Sequence, residues 1–156
     1  VITIGFSRSS TLVSWAIRKV TCSQVSHCFV VHRVLGVECA LEATSSGFRA
    51  VPMSVFAEGN EIVDIVSVEA DGSDDEPILG AMLGHPYDFL GLFGFLWVLL
   101  GRSLGRQWSN PARGPGKLFC SEAVVMVLAA GGVPGSSLLE PEQCSPEDVL
   151  RFLKRT

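Results

Sequence analysis

Charge is scarce in this sequence: 12 Lys+Arg and 16 Asp+Glu in 156 residues give a formal net charge of −4. No long basic run occurs, so the chain has nothing to lay along a nucleic-acid backbone, and nucleic acid is excluded as a main partner. Histidines number only 3, which leaves few candidates for a base working near neutral pH. The 5 cysteines (Cys22, Cys28, Cys39, Cys120 and Cys144) are odd in number and irregular in spacing. A disulfide-scaffolded secreted domain is smaller and denser in cysteine, so the expectation is reduced thiols, with a reducing, cytoplasmic compartment favoured. Repeats and low-complexity tracts are absent, and no cationic, apolar, small-residue leader pattern follows Val1. Disorder is excluded as well, because 47% of the residues are hydrophobic and only 18% charged. A second core is hard to house in this length, and one domain over residues 1–156 is expected.

What is present is a high mean hydropathy of +0.38, concentrated in Phe89–Leu100. That stretch falls short of the ~20 apolar residues needed to cross a bilayer. It has two readings, a buried helix or an apolar surface for lipid-like substrate and peripheral membrane contact. Elsewhere, Leu12, Trp15, Ala16 and Lys19 at helical spacing predict an amphipathic helix over Ser9–Val20, capped by Ser9 or Ser10. Val25–Val34 and Val37–Ala43 read as strands joined by a two-residue turn at Leu35-Gly36, and Ile62–Val68 as another strand. A helix begins at Ile78–Leu83 and breaks at Gly84-His85-Pro86. After a Gly- and Pro-rich loop over Arg102–Gly116, Cys120–Ala130 reads as a helix apolar almost all round, stopped by Gly131-Gly132. Such a helix belongs in the middle of the domain. Ser145-Pro146-Glu147-Asp148 opens a last helix with a good cap and Pro at its first position.

Several site types find little support. Asp71–Pro77 is acidic and turn-rich, but lacks the ligand spacing and closing glutamate of a calcium loop. Cys22, His27, Cys28, His32 and Cys39 crowd one region without the close pairs of a zinc site, and strand alternation scatters them over two faces. Gly91-Leu-Phe-Gly has no lysine-bearing phosphate loop around it. No metal and no cofactor is expected. Arg102, Arg106, Arg113 and Lys117 near the long loop are read as solvated.

Cys120 stands out because it opens the buried helix. A thiol there meets the positive end of the helix dipole and unpaired backbone N–H groups, which favour the thiolate and can hold the oxyanion of a tetrahedral intermediate. The plainer reading is an inert, small apolar residue. A cysteine nucleophile needs a base. His85 lies in a Gly-His-Pro turn and reads as an exposed loop residue. His27 and His32 fall on opposite faces of one strand, so only one can look at the helix. If Leu35-Gly36 form the turn, Val34 pairs with Val37 and Phe29 with Glu42. His27 then lies diagonally from Glu42, at ~7–8 Å between backbone positions. A carboxylate there can fix the imidazole tautomer and leave the other nitrogen for a thiol.

Ser26-His27 at the head of a strand, Leu41-Glu42-Ala43 and Gly47 on the next, Tyr87-Asp88 midway and Cys120-Ser121-Glu122 opening a helix recur in one order. This pattern resembles the circularly permuted, papain-like cysteine hydrolases of the NlpC type, especially the YiiX-like branch. It is more distantly similar to lecithin:retinol acyltransferase-like proteins. The histidine precedes the cysteine here, as in the permuted group. The resemblance implies an α+β fold, with a small antiparallel β-sheet packed on the helix that carries the cysteine. It also implies Cys120 as nucleophile, His27 as general base, Glu42 as the residue orienting the imidazole, and Tyr87 as a residue lining the substrate site. The expected activity is a cysteine hydrolase, an amidase or peptidase working through an acyl-enzyme on a peptide or cell-wall-type substrate. The alternatives are a lipid-directed acyltransferase or thioesterase, and a catalytically silent module that binds lipid or protein.

Overall fold

The computed structural model describes residues 1–44, 46–71, 76–84, 94, 97, 98, 100, 101, 104–106, 108, 119–141 and 143–156. In chain order the elements are β1 (Ile2–Arg8), α1 (Leu12–Thr21), β2 (His27–Val34), β3 (Val37–Thr44), β4 (Gly47–Pro52), α2 (Met53–Gly59), β5 (Glu61–Val68) and α3 (Glu76–Met82). They are followed by α4 (Cys120–Ala130), a short 3-10 turn at Ser136–Leu138 and α5 (Pro146–Leu153). The five strands form one antiparallel sheet in the order β4-β3-β2-β1-β5. The fold is therefore α+β, as expected, with the sheet packed on the helix that begins at Cys120.

The β2–β3 hairpin sets the register of everything at the site. Leu35 and Gly36 both take positive φ, 49° and 83°, as a two-residue type I′ turn demands, because its twist matches that of the flanking strands. The ladder runs from Val34↔Val37 to Val30↔Leu41, and in that register Phe29 stands opposite Glu42. Three elements lie outside the sequence reading. β1 (Ile-Thr-Ile-Gly-Phe-Ser-Arg) is a central strand, paired on both sides and buried for most of its length. β4 is an edge strand that ends in a proline, and α2 is a seven-residue helix with no side-chain cap. Both are too short to announce themselves by periodicity.

The two faces of the sheet bury different things. Ile4, Phe6, Cys28, Val30, Leu41 and Ala43 share the main core with Val124, Val127 and Leu128 of α4, and with Val149 and Leu153 of α5. On the other face Phe29 and Ala40 pack on Phe56 of α2, with Val31, Val51, Met53 and Ile62 around them. Helix α4 is buried nearly all round, its Ser121 and Glu122 included. Helix α5 is held at its start by Ser145, whose Oγ accepts the Asp148 N–H at 3.2 Å while Asp148 accepts the Ser145 N–H at 3.0 Å.

The first helix differs from its expected form. Thr11, not Ser9 or Ser10, is the cap, its Oγ1 accepting the Ser14 N–H at 3.2 Å. Leu12 and Trp15 face outward and Ser14 and Ile17 face inward, because Ser14 is needed in a buried hydroxyl pair with Ser26 at 2.6 Å. Most of Phe89–Leu100 and of the Arg102–Gly116 loop lies outside the described residues. Among those described there, Trp97 and Leu100 are 50% and 42% exposed, and Trp97 stacks on Trp108 with ring centroids 4.3 Å apart. No helix among the described residues is long and apolar enough to cross a membrane.

Candidate active site

Three chain segments meet at one end of the sheet. Cys120 is the first residue of α4, His27 the first of β2, and Glu42 lies near the end of β3. The start of α4 is fixed locally: Glu122 reaches back to accept the Phe119 N–H at 3.3 Å, and the Ala123 N–H closes the first turn on the Phe119 carbonyl at 3.0 Å. This reciprocal use of an acid in the first turn also suits the helix dipole. Ser26, just before His27, is pinned by its N–H to the Ser7 carbonyl and by its hydroxyl to Ser14.

The His27 Nε2–H donates to Glu42 Oε2 at 2.9 Å. Glu42 is almost fully buried, its side chain 5% exposed against 20% for His27. Its other oxygen, Oε1, accepts from Arg49 Nε at 3.1 Å and Nη2 at 2.9 Å. The imidazole also lies beside an aromatic pair, with the Phe29 and Phe56 rings each 6.3 Å away, centroid to centroid, and inclined to it by 25° and 28°. With Nε2 engaged by Glu42, the nitrogen left for sulfur is Nδ1, and His27 and Cys120 interact both by charge and by a hydrogen bond.

The electrostatics follow from this packing. Burial works against a charged imidazole. The neighbouring Cys120 sulfur, as charge and hydrogen-bond partner, and then Glu42 in the same two ways outweigh it and push the His27 pKa up to about 10. Cys120 is held well below the ordinary thiol value. The strongest influence is a hydrogen bond from the Cys28 thiol; burial opposes it, and the His27 charge and hydrogen bond and the Cys28 backbone N–H add to the lowering. For Glu42, burial would raise the pKa, but the hydrogen bonds and charges of His27 and Arg49 hold the carboxyl below its usual range. The result is a thiolate–imidazolium pair backed by a buried, ionised carboxylate.

The structure thus brings Cys120, His27 and Glu42 together. Tyr87 and His85 lie outside the described residues. One expectation is corrected. The face of β2 that looks onto the cysteine helix is that of Cys28 and Val30, not that of His27, Phe29 and Val31. His27 still reaches Cys120 because each is the first residue of its element, so they meet around the end of the strand. Two neighbours went unread in the sequence. Arg49 pairs directly with Glu42 across β3–β4 and could have been found by reading Gly47–Pro52 as the third strand of a meander. Cys28 is the other, offered by the sequence only among the residues of an unsupported zinc site. Among the described residues no group of three or more His, Cys, Asp or Glu side chains is arranged to hold a metal ion.

Fold and site together define a small α+β protein with a cysteine at a helix start beside a carboxylate-bound histidine. No protein-family model and no curated protein matches the chain. Among solved structures it is similar to the crystal structure of the metalloprotein yiiX from Escherichia coli O157:H7, with a TM-score of 0.57 and 20% identity over 91% of this chain and 76% of that one. At this identity the likeness is one of fold.

Proposed function

We propose that residues 1–156 form one permuted papain-like hydrolase domain, a cysteine amidase or peptidase acting on a peptide or cell-wall-type substrate. The observation that carries this reading is the His27 imidazole bound to buried Glu42 on one side and set against Cys120 at a helix start on the other. The Cys120 thiolate attacks the carbonyl carbon of the scissile amide, and the displaced electron pair collects on the carbonyl oxygen. Backbone N–H groups at the start of α4 stabilise that oxyanion. When the tetrahedral intermediate collapses, His27 gives its proton to the leaving nitrogen and a thioester remains on Cys120. Water, losing a proton to His27, attacks the thioester, and the acid product and the thiolate–imidazolium pair are released. Glu42 keeps the ring oriented and its charge balanced through both steps. Tyr87 is assigned to the substrate side of the site by the family resemblance.

A second reading, a lipid-directed acyltransferase or thioesterase, is favoured by the outward-facing Trp97 and Leu100. It uses the same thioester, released to a second nucleophile.

The deciding experiment is iodoacetamide alkylation of the native protein from pH 5 to 9, read at each cysteine by peptide mass spectrometry. Cys120 should react fast below pH 7 while the other four lag, and His27→Ala should abolish that advantage. A Cys120 as slow as Cys22 or Cys39 would remove the nucleophile. Given a reactive Cys120, release of amine from peptide amides supports the first reading, and acyl transfer from vesicle-borne esters the second.

A further inference from the structure

Cys28 is a buried thiol that the proposed chemistry does not use, and its position is specific. It follows His27 in β2, so alternation turns its side chain to the opposite face of the strand, the one α4 covers. There it is fully buried in the main core, with Cys120 packed against the same cluster. The two thiols are near enough to act on each other's protonation, Cys28 being raised and Cys120 lowered. The two sulfurs differ in access: Cys120 is partly exposed and Cys28 is fully enclosed.

We propose that Cys28 is the resolving thiol for Cys120, so that peroxide turns the site off as a Cys28–Cys120 disulfide and a dithiol turns it on again. The inference rests on the reading of Cys120 as the reactive thiolate. Hydrogen peroxide, reaching the exposed sulfur, transfers one oxygen to Cys120, giving a sulfenic acid and, with one proton, water. The Cys28 sulfur then attacks the Cys120 sulfur. The S–O bond breaks, the S–S bond forms, and the hydroxyl leaves with the Cys28 proton as a second water. Peroxide is reduced and the two thiols are oxidised, by two electrons in all. A dithiol reverses the step by exchange at the more accessible Cys120 sulfur.

The local chemistry favours the sequence of events. In the reduced protein, burial above all, and then the hydrogen bond and charge of Cys120, keep Cys28 protonated. Oxidation removes the Cys120 charge, so Cys28 becomes easier to deprotonate once there is a sulfenic acid to attack. Enclosure also keeps Cys28 from being oxidised first.

The test is peptide mapping of wild-type protein after limiting hydrogen peroxide, with fragmentation that separates Cys22 from Cys28 and Cys120 from Cys144. The expected product is a Cys28–Cys120 linked peptide, with loss of Cys120 alkylation that dithiothreitol restores. In Cys28→Ala, Cys120 should pass to the sulfinic and sulfonic acids and its alkylation should stay lost after dithiothreitol. Should that variant fail to fold, the wild-type map alone decides. Sulfinic acid at Cys120 beside an unmodified Cys28, or a bond from Cys28 to Cys144, overturns the switch. Slow Cys120 alkylation before any peroxide instead removes the nucleophile itself, so the two failures are told apart.

Discussion

Arg49 and Glu42 stand directly opposite each other across β3–β4, and both guanidinium nitrogens that Arg49 offers end on Oε1, leaving Oε2 for His27. The carboxylate is buried while the arginine is half exposed, so the pair shields Glu42 from above and orients it below. Glu42→Ala should lower kcat/KM by about 10²-fold or more, the size of a lost acid–base orientation. Arg49→Gln should cost no more than about fivefold, since a half-exposed pair contributes up to about 1 kcal/mol, and should move the acid limb of the pH–rate profile upward. Equal losses from both variants, with unmoved limbs, would contradict this division of roles.

The thiolate–imidazolium pair has a characteristic signature in stability against pH. His27 is raised from 6.5 to about 10, so its contribution is full below 6.5 and fades as pH rises through the folded value. Cys120 is lowered from 9.0, so its contribution is full above 9.0 and fades as pH falls towards the folded value. Between 6.5 and 9.0 the two slopes cancel. The melting-temperature gap between wild type and the Cys120→Ala/His27→Ala double variant should therefore follow a plateau across that window and change on either side. A gap that slopes steadily through pH 7–8 would mean that one of the two groups keeps its ordinary pKa.

Gly5 pairs with Phe29 across β1–β2, and a Cβ at position 5 would overlap the Phe29 ring. That ring stacks on His27 and packs at a tilt on Phe56. Gly5→Ala should destabilise the fold by about 1–3 kcal/mol in urea denaturation, as overpacking of a filled core does. It should also slow Cys120 alkylation, since the displaced ring carries the imidazole with it. A stable Gly5→Ala with unchanged alkylation would show that the ring has room to yield.

Leu35 is fully exposed and takes φ 49° in the hairpin turn. A left-handed conformation costs a leucine about 1–2 kcal/mol and an asparagine much less. Leu35→Asn should raise the melting temperature without touching the site. A lower one would mean that the turn draws stability from the leucine.

How far the sequence carried the fold depends on how local each cause is. The β2–β3 hairpin was legible, register included, because a two-residue turn between β-branched runs leaves few alternatives. Helices α4 and α5 were legible from an apolar run with glycine stops and from Ser145-Pro146. β1 was not, although Ile2, Ile4 and Phe6 alternate with Thr3, Gly5 and Ser7, because the run is short and its pairing with β2 and β5 is long-range. The site residues could be drawn from the hairpin, but not the way they meet. Which face of β2 the helix covers is decided by where Val124, Val127 and Leu128 find partners, and no local pattern states that.

Cys120 and His27 are separated by more than ninety residues of chain. The side chains that lower its pKa are Cys28 and His27 on β2, with β3, β4, α2, β5 and α3 lying between them and α4 along the chain. A ribosome-bound or half-folded chain therefore carries an ordinary thiol at this position. Chemical reactivity arrives last, with the docking of α4 on the sheet, and during synthesis the maturing protein is spared a nucleophile it could not yet aim.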